Sequence, residues 1–339
     1  MKKLIDSVET LVEDSLVGFA AAHVEHVRLH GLDSRGAKTG PLFVTRAADP
    51  TPGNVSVLSG GGSGHEPMHA GFIGPGMLDA AVPGPMFTSP TADQIAAAIS
   101  AVDAGAGVLA IVKNYTGDVM NFALAAEMAQ MDGIEVASVV VDDDVAVEDS
   151  THTAGRRGVA GTVIVEKMAG AAAERGDTLG EVTEVARAVV ANTRSMGVAL
   201  TAGTVPHVGR PGFDLGEDEI ELGVGIHGEP GRARQQMAPA CEITRELVEP
   251  VVADLGLRAG ERVLLLVNGM GGTPLIELYL VYARARALLE AAGIEVARSL
   301  VGEYVTSLEM QGASVTVTRL TDELAALWDA PVNTAALRW

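Results

Sequence analysis

The sequence has little of the chemistry that marks secreted or nucleic-acid-binding proteins. Its 339 residues include one cysteine, Cys241, so no disulfide can form within the chain, which fits a reducing compartment. Lysine and arginine number 24 against 44 aspartates and glutamates, leaving a formal net charge of -20. Such a field repels phosphate backbones and anionic lipid, and we therefore expect neither nucleic acid nor a membrane as a partner.

Long hydrophobic runs are also missing. The longest apolar stretch, residues 105–112, is far shorter than the roughly 20 residues that a membrane-spanning helix needs. Lys2 and Lys3 resemble the start of an export signal, but Asp6 and Glu9 interrupt the apolar segment that such a signal requires. We therefore expect a cytoplasmic protein. The same segment predicts an amphipathic helix with one apolar face formed by Leu4, Val8, Leu11, Val12 and Leu16.

Glycine and apolar residues are abundant, and strand patterns alternate with helix patterns. The clearest strands are at 55–58, 108–112, 136–141, 220–226, 263–267 and 315–318, and the clearest helices at 92–104, 119–131 and 274–292. This alternation predicts two α/β domains, each a largely parallel or mixed sheet covered by helices. Turn residues at 176–180 place the boundary nearby, giving domains 1–185 and 186–339.

Three predicted strands end in glycine-containing loops, at 58–65, 112–118 and 225–229. In open α/β sheets ligands bind beyond the carboxyl ends of strands, so chemistry is expected at these loops. Residues 65–69 match H-E-x-x-H, but Pro67 cannot occupy a helix interior without losing a hydrogen bond, and we expect no metal site there.

Two segments resemble nucleotide-binding motifs but lack the features that such motifs require. Residues 223–228 match G-x-G-x-x-G, but Glu229 and Pro230 follow where a helix N-terminus should receive phosphates. The loop at 59–64 lacks the Gly-Lys-Ser/Thr ending of a P-loop. The chain is therefore expected to carry no cofactor of its own.

Two charged clusters allow more than one interpretation. Asp142, Asp143 and Asp144 follow a predicted strand, and they form either a Mg²⁺ site or, more commonly, an acidic strand end facing water. Arg156 and Arg157 are a basic pair in an acidic protein, and docking of a partner and surface ion pairs are both compatible with them.

Four separated segments, in this order, resemble the substrate-binding subunits (subunit K) of dihydroxyacetone kinases. They are Ser59-Gly-Gly-Gly-Ser-Gly-His65-Glu-Pro67, Lys113-Asn-Tyr-Thr-Gly-Asp118, Thr153-Ala-Gly-Arg-Arg-Gly158 and Gly225-Ile-His227-Gly-Glu-Pro230. The likeness covers the whole chain and is weakest at 23–41 and 231–262. It implies a homodimer of two-domain chains that holds dihydroxyacetone while a nucleotide-binding subunit L, carrying ATP or ADP with Mg²⁺, supplies the phosphoryl group. The ultimate donor is ATP or a phosphocarrier protein.

The resemblance assigns His227 as a covalent anchor. A neutral imidazole nitrogen can attack a ketone carbon, and the product stops at a hemiaminal because the attacking nitrogen keeps no proton to lose. Such capture selects ketones against glycerol. Glu229 is a candidate for orienting the ring. Judged on its sequence context alone, His227 in a glycine-rich turn is better explained by a structural hydrogen bond.

By the same resemblance Asp118 takes the proton of the substrate hydroxyl and His65 exchanges a proton with the carbonyl oxygen. Asp118 is equally well placed to be the N-cap of the helix at 119–131. Hydrogen bonds to the substrate hydroxyls are assigned to Gly62, Ser63, Gly64 and Lys113. A tight turn for the glycines and a solvated loop end for the lysine are the alternatives.

Two rival functions remain open at this level. The first is a regulatory paralogue that holds a small ketone and never phosphorylates it, although a sensor needs no base such as Asp118. The second is a kinase subunit for a larger ketose such as a tetrulose, because the anchor contacts only the carbonyl.

Overall fold

A computed structural model describes residues 2–33, 36–147, 154–229 and 231–339. Its strands are β1 (Val27–Leu32), β2 (Lys38–Arg46), β3 (Ser56–Ser63), β4 (Ala80–Met86), β5 (Val108–Lys113), β6 (Val136–Val141), β7 (Thr193–Ala199), β8 (Glu219–Leu222), β9 (Ala233–Gln236), β10 (Arg262–Gly269), β11 (Glu295–Gly302) and β12 (Gly312–Arg319). Its α-helices are α1 (Leu11–Ala22), α2 (Ala92–Val102), α3 (Thr116–Met131), α4 (Gly161–Arg175), α5 (Leu179–Ala191), α6 (Ala240–Leu255), α7 (Leu275–Ala291) and α8 (Asp322–Asp329).

The chain divides into two compact units, each built around one six-stranded sheet. The first unit comprises Met1–Val140, Ile164–Arg187 and Leu327–Trp339, and the second comprises Val141–Val163 and Ala188–Ala326. The passage from first to second unit after Arg187 lies close to the predicted boundary at 185. Two segments depart from the predicted division: Val141–Val163 belongs to the second unit, and Leu327–Trp339 belongs to the first. The tail belongs to the first unit because its backbone bonds to the chain around residue 75, as in the 3.0 Å bond from Asn333 N to Pro75 O.

The first sheet has the order β1-β2-β4-β3-β5-β6. Strand β3 pairs in parallel with both β4 and β5, whereas β1 and β2 add an antiparallel edge. Every residue of β3 and β5 is buried, as expected for interior parallel strands. Helices α2 and α3 cover this sheet with an apolar face that includes Ile95, Ile99 and Phe122.

The second sheet has the order β11-β10-β12-β7-β8-β9 and is mostly antiparallel, with β10 and β11 as its parallel pair. Helices α6 and α7 pack on it through residues such as Leu247, Val251 and Leu289. The prediction of two α/β domains with largely parallel or mixed sheets is thus confirmed, and the mixed form applies to both.

The N-terminal helix differs from its prediction. It begins at Leu11, so Leu4 and Val8 precede it, and Leu4 is fully exposed. Of the five predicted apolar-face residues, Leu16 is buried. Among the described residues, no helix combines the length and hydropathy needed to cross a bilayer.

Candidate functional site

Three of the four glycines expected in a loop after the strand predicted at 55–58 lie within β3 itself, namely Gly60, Gly61 and Gly62. A Cβ on Gly60 would stand 2.6 Å from the Val82 carbonyl oxygen, and one on Gly61 would stand 2.3 Å from Lys113 Nζ. Neither distance is possible for a real side chain. The glycines therefore let a neighbouring strand and a lysine approach the backbone of β3 more closely than any other residue would allow.

Lys113 ends β5 and is completely buried, so the alternative of a solvated loop end is wrong. Its Nζ lies 3.2 Å from Gly60 O and 2.7 Å from His69 Nε2. Burial lowers the pKa of Lys113, while the negative charges of Asp118 and Glu166 oppose that shift. The side-chain nitrogen of Lys113 is thus held against the glycine strand.

Asp118 is the third residue of α3, whose N-cap is Tyr115, so the N-cap interpretation of Asp118 is wrong. Its side chain is buried, and Oδ1 has no hydrogen-bond partner among the described residues. The positive end of the helix dipole favours a carboxylate there. A Cβ on Gly61 would lie 3.4 Å from Asp118 Oδ2 as well as 2.3 Å from Lys113 Nζ, so both groups approach the same glycine. A carboxylate with an unsatisfied oxygen beside an ammonium can accept a proton.

His65 is buried and stacks on Phe87, with ring centroids 4.9 Å apart and 14° between planes. Gly64 takes φ +107°, which favours glycine, and its N–H donates to the Glu66 carboxylate. The Ser63 hydroxyl donates to Gly84 O at 2.7 Å. It is therefore engaged with β4.

The H-E-x-x-H segment at 65–69 forms turns and is followed by a short 3₁₀ helix, Ala70–Phe72. Its two histidines are therefore not one turn apart on a helix. Within residues 2–33, 36–147, 154–229 and 231–339, no three His, Cys, Asp or Glu side chains cluster as metal ligands would.

Sequence reasoning missed His69 as a partner of Lys113, and it missed Glu166 altogether. His69 Nδ1 lies 2.6 Å from Glu166 Oε1, and both side chains are buried. Burial raises the pKa of Glu166 to about 8 against the opposing charge of Lys113, and burial, followed by the charge of Lys113, lowers the pKa of His69 well below its ordinary value. One sequence signal existed: Glu166 and Lys167 interrupt an otherwise apolar helix.

His227 lies in the second unit, in the turn after β8. Its backbone N–H donates to Glu229 Oε2 at 3.1 Å, and its ring Nδ1 lies 2.9 Å from Glu229 Oε1, so one carboxylate contacts both the turn and the ring. Gly225 makes room, because a Cβ there would stand 2.0 Å from Glu229 Oε2. Burial alone would raise the pKa of Glu229, but hydrogen bonding to His227 and the charges of His227 and Arg157 bring it down to about 2. Glu229 thus remains a carboxylate that orients the imidazole.

The two charged clusters flanking this turn are each divided between the interior and the surface: Asp143, Asp144 and Arg157 are buried, whereas Asp142 is exposed, as expected for a strand end facing water. Asp143 accepts hydrogen bonds from Val159 N and Gly161 N at 2.8 and 2.7 Å, so it does not face water. Asp144 pairs with Arg157 at 2.6 Å in the interior. Of the arginine pair only Arg156 forms a surface ion pair, with Asp254. Thr153 and Pro230, which begin and end two of the motif segments, lie outside the described residues.

The predicted site residues thus fall into two groups, each described within its own unit. The first unit brings Lys113 and Asp118 together at Gly61 and also holds the other predicted residues of that group, Gly62, Ser63, Gly64 and His65. The second unit holds His227 with Glu229. No described contact tests the roles that the resemblance assigns to these residues.

Comparison with known proteins identifies the family. Residues 18–336 match the model of the Dak1 domain. The chain is 51% identical over 337 residues to PTS-dependent dihydroxyacetone kinase 1, dihydroxyacetone-binding subunit DhaK, of Listeria innocua, covering 99% of this chain and 100% of that protein.

Two solved structures extend the likeness. The dihydroxyacetone kinase of C. freundii in its native form is 35% identical with a TM-score of 0.88, covering 99% of this chain, which spans 60% of that longer chain. The dihydroxyacetone kinase operon co-activator Dha-DhaQ is also 35% identical, with a TM-score of 0.86, covering 96% of this chain and 97% of that one. The resemblance found in four sequence segments is confirmed, and this chain belongs to the Dak1 domain family.

Proposed function

We propose that this protein is the dihydroxyacetone-binding subunit of a dihydroxyacetone kinase, and that a separate subunit transfers a phosphoryl group to the bound ketone. A full-length relative at 51% identity carries that role in its name. The observation that carries the proposal is the His227–Glu229 pair. With Nδ1 donating its proton to the carboxylate at 2.9 Å, the lone pair of the neutral ring sits on Nε2, the nitrogen that attacks.

The capture step needs no cofactor. The Nε2 lone pair forms a bond to the carbonyl carbon of dihydroxyacetone, and the carbonyl π electrons move to oxygen, which takes a proton from an acid that we assign to His65. The substituted ring keeps its Nδ1 proton and becomes cationic. The Glu229 carboxylate balances this charge, and its depressed pKa keeps it ionised.

Phosphoryl transfer requires the attacking hydroxyl to lose its proton as the phosphorus–oxygen bond forms. Asp118 is the acceptor that we assign, since its Oδ1 has no hydrogen-bond partner among the described residues and its side chain is buried. Lys113 is assigned to hold a substrate hydroxyl, with the backbone around Gly62 and Gly64. Ser63 contributes through its backbone, because its hydroxyl is bonded to Gly84.

The partner assignments follow from what the chain itself provides. We propose that a nucleotide-bearing subunit L supplies ATP or ADP with Mg²⁺, because this acidic chain offers no phosphate-binding loop. The name of the Listeria relative favours a phosphocarrier protein as the ultimate donor. A homodimer acting in the cytoplasm completes the proposal.

Native mass spectrometry tests the capture step. Incubation with dihydroxyacetone should add the mass of one ketone to the wild-type chain. His227→Ala should remove that addition in a chain that still folds but is less stable, because the buried Glu229 carboxylate loses its partner. His207→Ala is the matched control, because His207 is exposed in the same unit. An adduct that persists in His227→Ala would move the anchor to another residue.

A second candidate is a regulator that binds the ketone without turnover. The co-activator structure favours it, because that protein matches this chain over nearly its full length. The two candidates separate in one assay: with the nucleotide-bearing subunit and phosphoryl donor present, a kinase subunit produces dihydroxyacetone phosphate and a regulator does not.

A further inference from the structure

Three buried side chains of the first unit form a continuous chain, and the proposed reaction uses only one of them, Lys113. Lys113 Nζ lies 2.7 Å from His69 Nε2, and His69 Nδ1 lies 2.6 Å from Glu166 Oε1. The three residues come from β5, the turn after β3 and α4. Glu166 is a charged residue in the interior of a buried apolar helix, which is costly unless the charge is compensated.

We propose that His69 and Glu166 are positioning residues that keep the Lys113 ammonium charged and fixed at the glycine strand, where it holds a substrate hydroxyl. This inference rests on the proposed function for the role of Lys113, but the charge of Lys113 can be measured without it. The neutral imidazole of His69 links the two charges by hydrogen bonds. Lys113 donates to Nε2, and Nδ1–H donates to the Glu166 carboxylate.

Two of the three N–H donors of the Lys113 ammonium have partners in the protein. One N–H points to Gly60 O at 3.2 Å and one to His69 Nε2, which leaves one of three donors for the substrate. Without His69 the flexible side chain would lose its shortest contact. Without Glu166 the imidazole would lose the partner that fixes its tautomer.

A second proton arrangement has the same proton count. If Lys113 gave a proton to Nε2 and Nδ1 gave its proton to Glu166, the chain would become amine, imidazole and carboxylic acid. Burial favours the uncharged form, because it lowers the pKa of Lys113 and raises the pKa of Glu166 to about 8. The Asp118 carboxylate takes no part in the exchange and favours the ammonium at Lys113. His65 acts on the imidazole, which is neutral in both arrangements.

Lysine NMR measures this charge directly. The chain has five lysines, so ¹³Cε-labelled lysine gives five signals, and Lys113→Met assigns the one of interest. We expect an ammonium-type signal for wild-type Lys113 at pH 8.5, above the pKa of about 8 that burial gives Glu166. Glu166→Gln removes the negative charge that Glu166 carries at that pH, so Lys113 should lose its proton at a pH about one unit lower or more. Glu127→Gln, at an exposed position of α3, is the control and should match wild type.

Kinetics with the full chain and its partner subunit supply the second measurement. Glu166→Gln should raise KM for dihydroxyacetone about 10- to 100-fold, the usual loss of a charge-assisted hydrogen bond, with a smaller change in kcat. An amine-type wild-type signal at pH 8.5 would overturn the proposal even if Glu166→Gln fails to fold. An unchanged titration in Glu166→Gln would also overturn it. If wild type shows neither adduct nor turnover, the proposed function fails, and the lysine titration still decides whether the chain holds an ammonium.

Discussion

Replacing Gly61 with alanine should separate folding from function. The new Cβ would stand 2.3 Å from Lys113 Nζ, whereas an ordinary contact needs about 3.4 Å. The obstructing atom is the end of a flexible side chain, so the lysine can retreat and the strand can stay. We therefore expect Gly61→Ala to fold, with the ammonium displaced by about 1 Å from the strand.

The displacement sets the size of the effect. Misplacing a catalytic or binding group by about 1 Å can reduce turnover about 10²-fold. The stability change should stay small, because alanine in a strand interior recovers about 0.5–1 kcal/mol of backbone entropy relative to glycine. We therefore expect kcat/KM for dihydroxyacetone to fall about 100-fold, with the free energy of unfolding within about 1 kcal/mol of wild type.

Gly60→Ala is the matched control. Its Cβ would meet the Val82 carbonyl oxygen at 2.6 Å and the Phe122 ring at 3.2 Å, and neither backbone nor packed ring can retreat freely. Such overpacking typically costs about 1–3 kcal/mol of stability. Urea unfolding of both variants, beside the reconstituted phosphorylation assay, checks the contrast. Near-normal turnover in Gly61→Ala, or a stability loss equal to that of Gly60→Ala, would refute the reasoning.

Three further predictions concern the proposed base Asp118, the Glu229 carboxylate beside His227, and the need for a partner subunit. Asp118→Asn should keep the ketone adduct in mass spectra yet lose about 10²- to 10⁴-fold in turnover, and near-normal turnover would place the base elsewhere. The pKa of Glu229 is about 2 in the folded state and about 4.5 in the unfolded state. The ionised Glu229 therefore stabilises the fold above pH 4.5, and this stabilisation is lost as the pH falls toward 2. Glu229→Gln should therefore lower the free energy of unfolding by about 3 kcal/mol at pH 7, and by less below 4.5, in urea titrations; an equal loss at every pH would contradict this. The isolated chain with ATP, Mg²⁺ and dihydroxyacetone should give no product by coupled enzyme assay, and turnover comparable with the reconstituted system would reopen the search for a nucleotide site.

The sequence by itself determined the fold class and the family. Alternating strand and helix patterns carry the α/β architecture, because side-chain periodicity is a local property that each segment displays alone. The interior strand at 108–112 was clear because a continuous apolar run marks a strand buried on both faces. Four motif segments identified the family, since their order along the chain needs no coordinates.

Only the tertiary structure decided which charged side chains are buried and which partners they have. Lys113, for which a solvated loop end was the alternative to substrate binding, is buried against Gly60, and Asp144 is buried with Arg157 instead of facing water. Burial of a charge depends on residues distant in sequence: 97 positions separate His69 from Glu166. Periodicity cannot report such pairing, because a lone charge in an apolar segment looks the same whether its partner is water or another side chain.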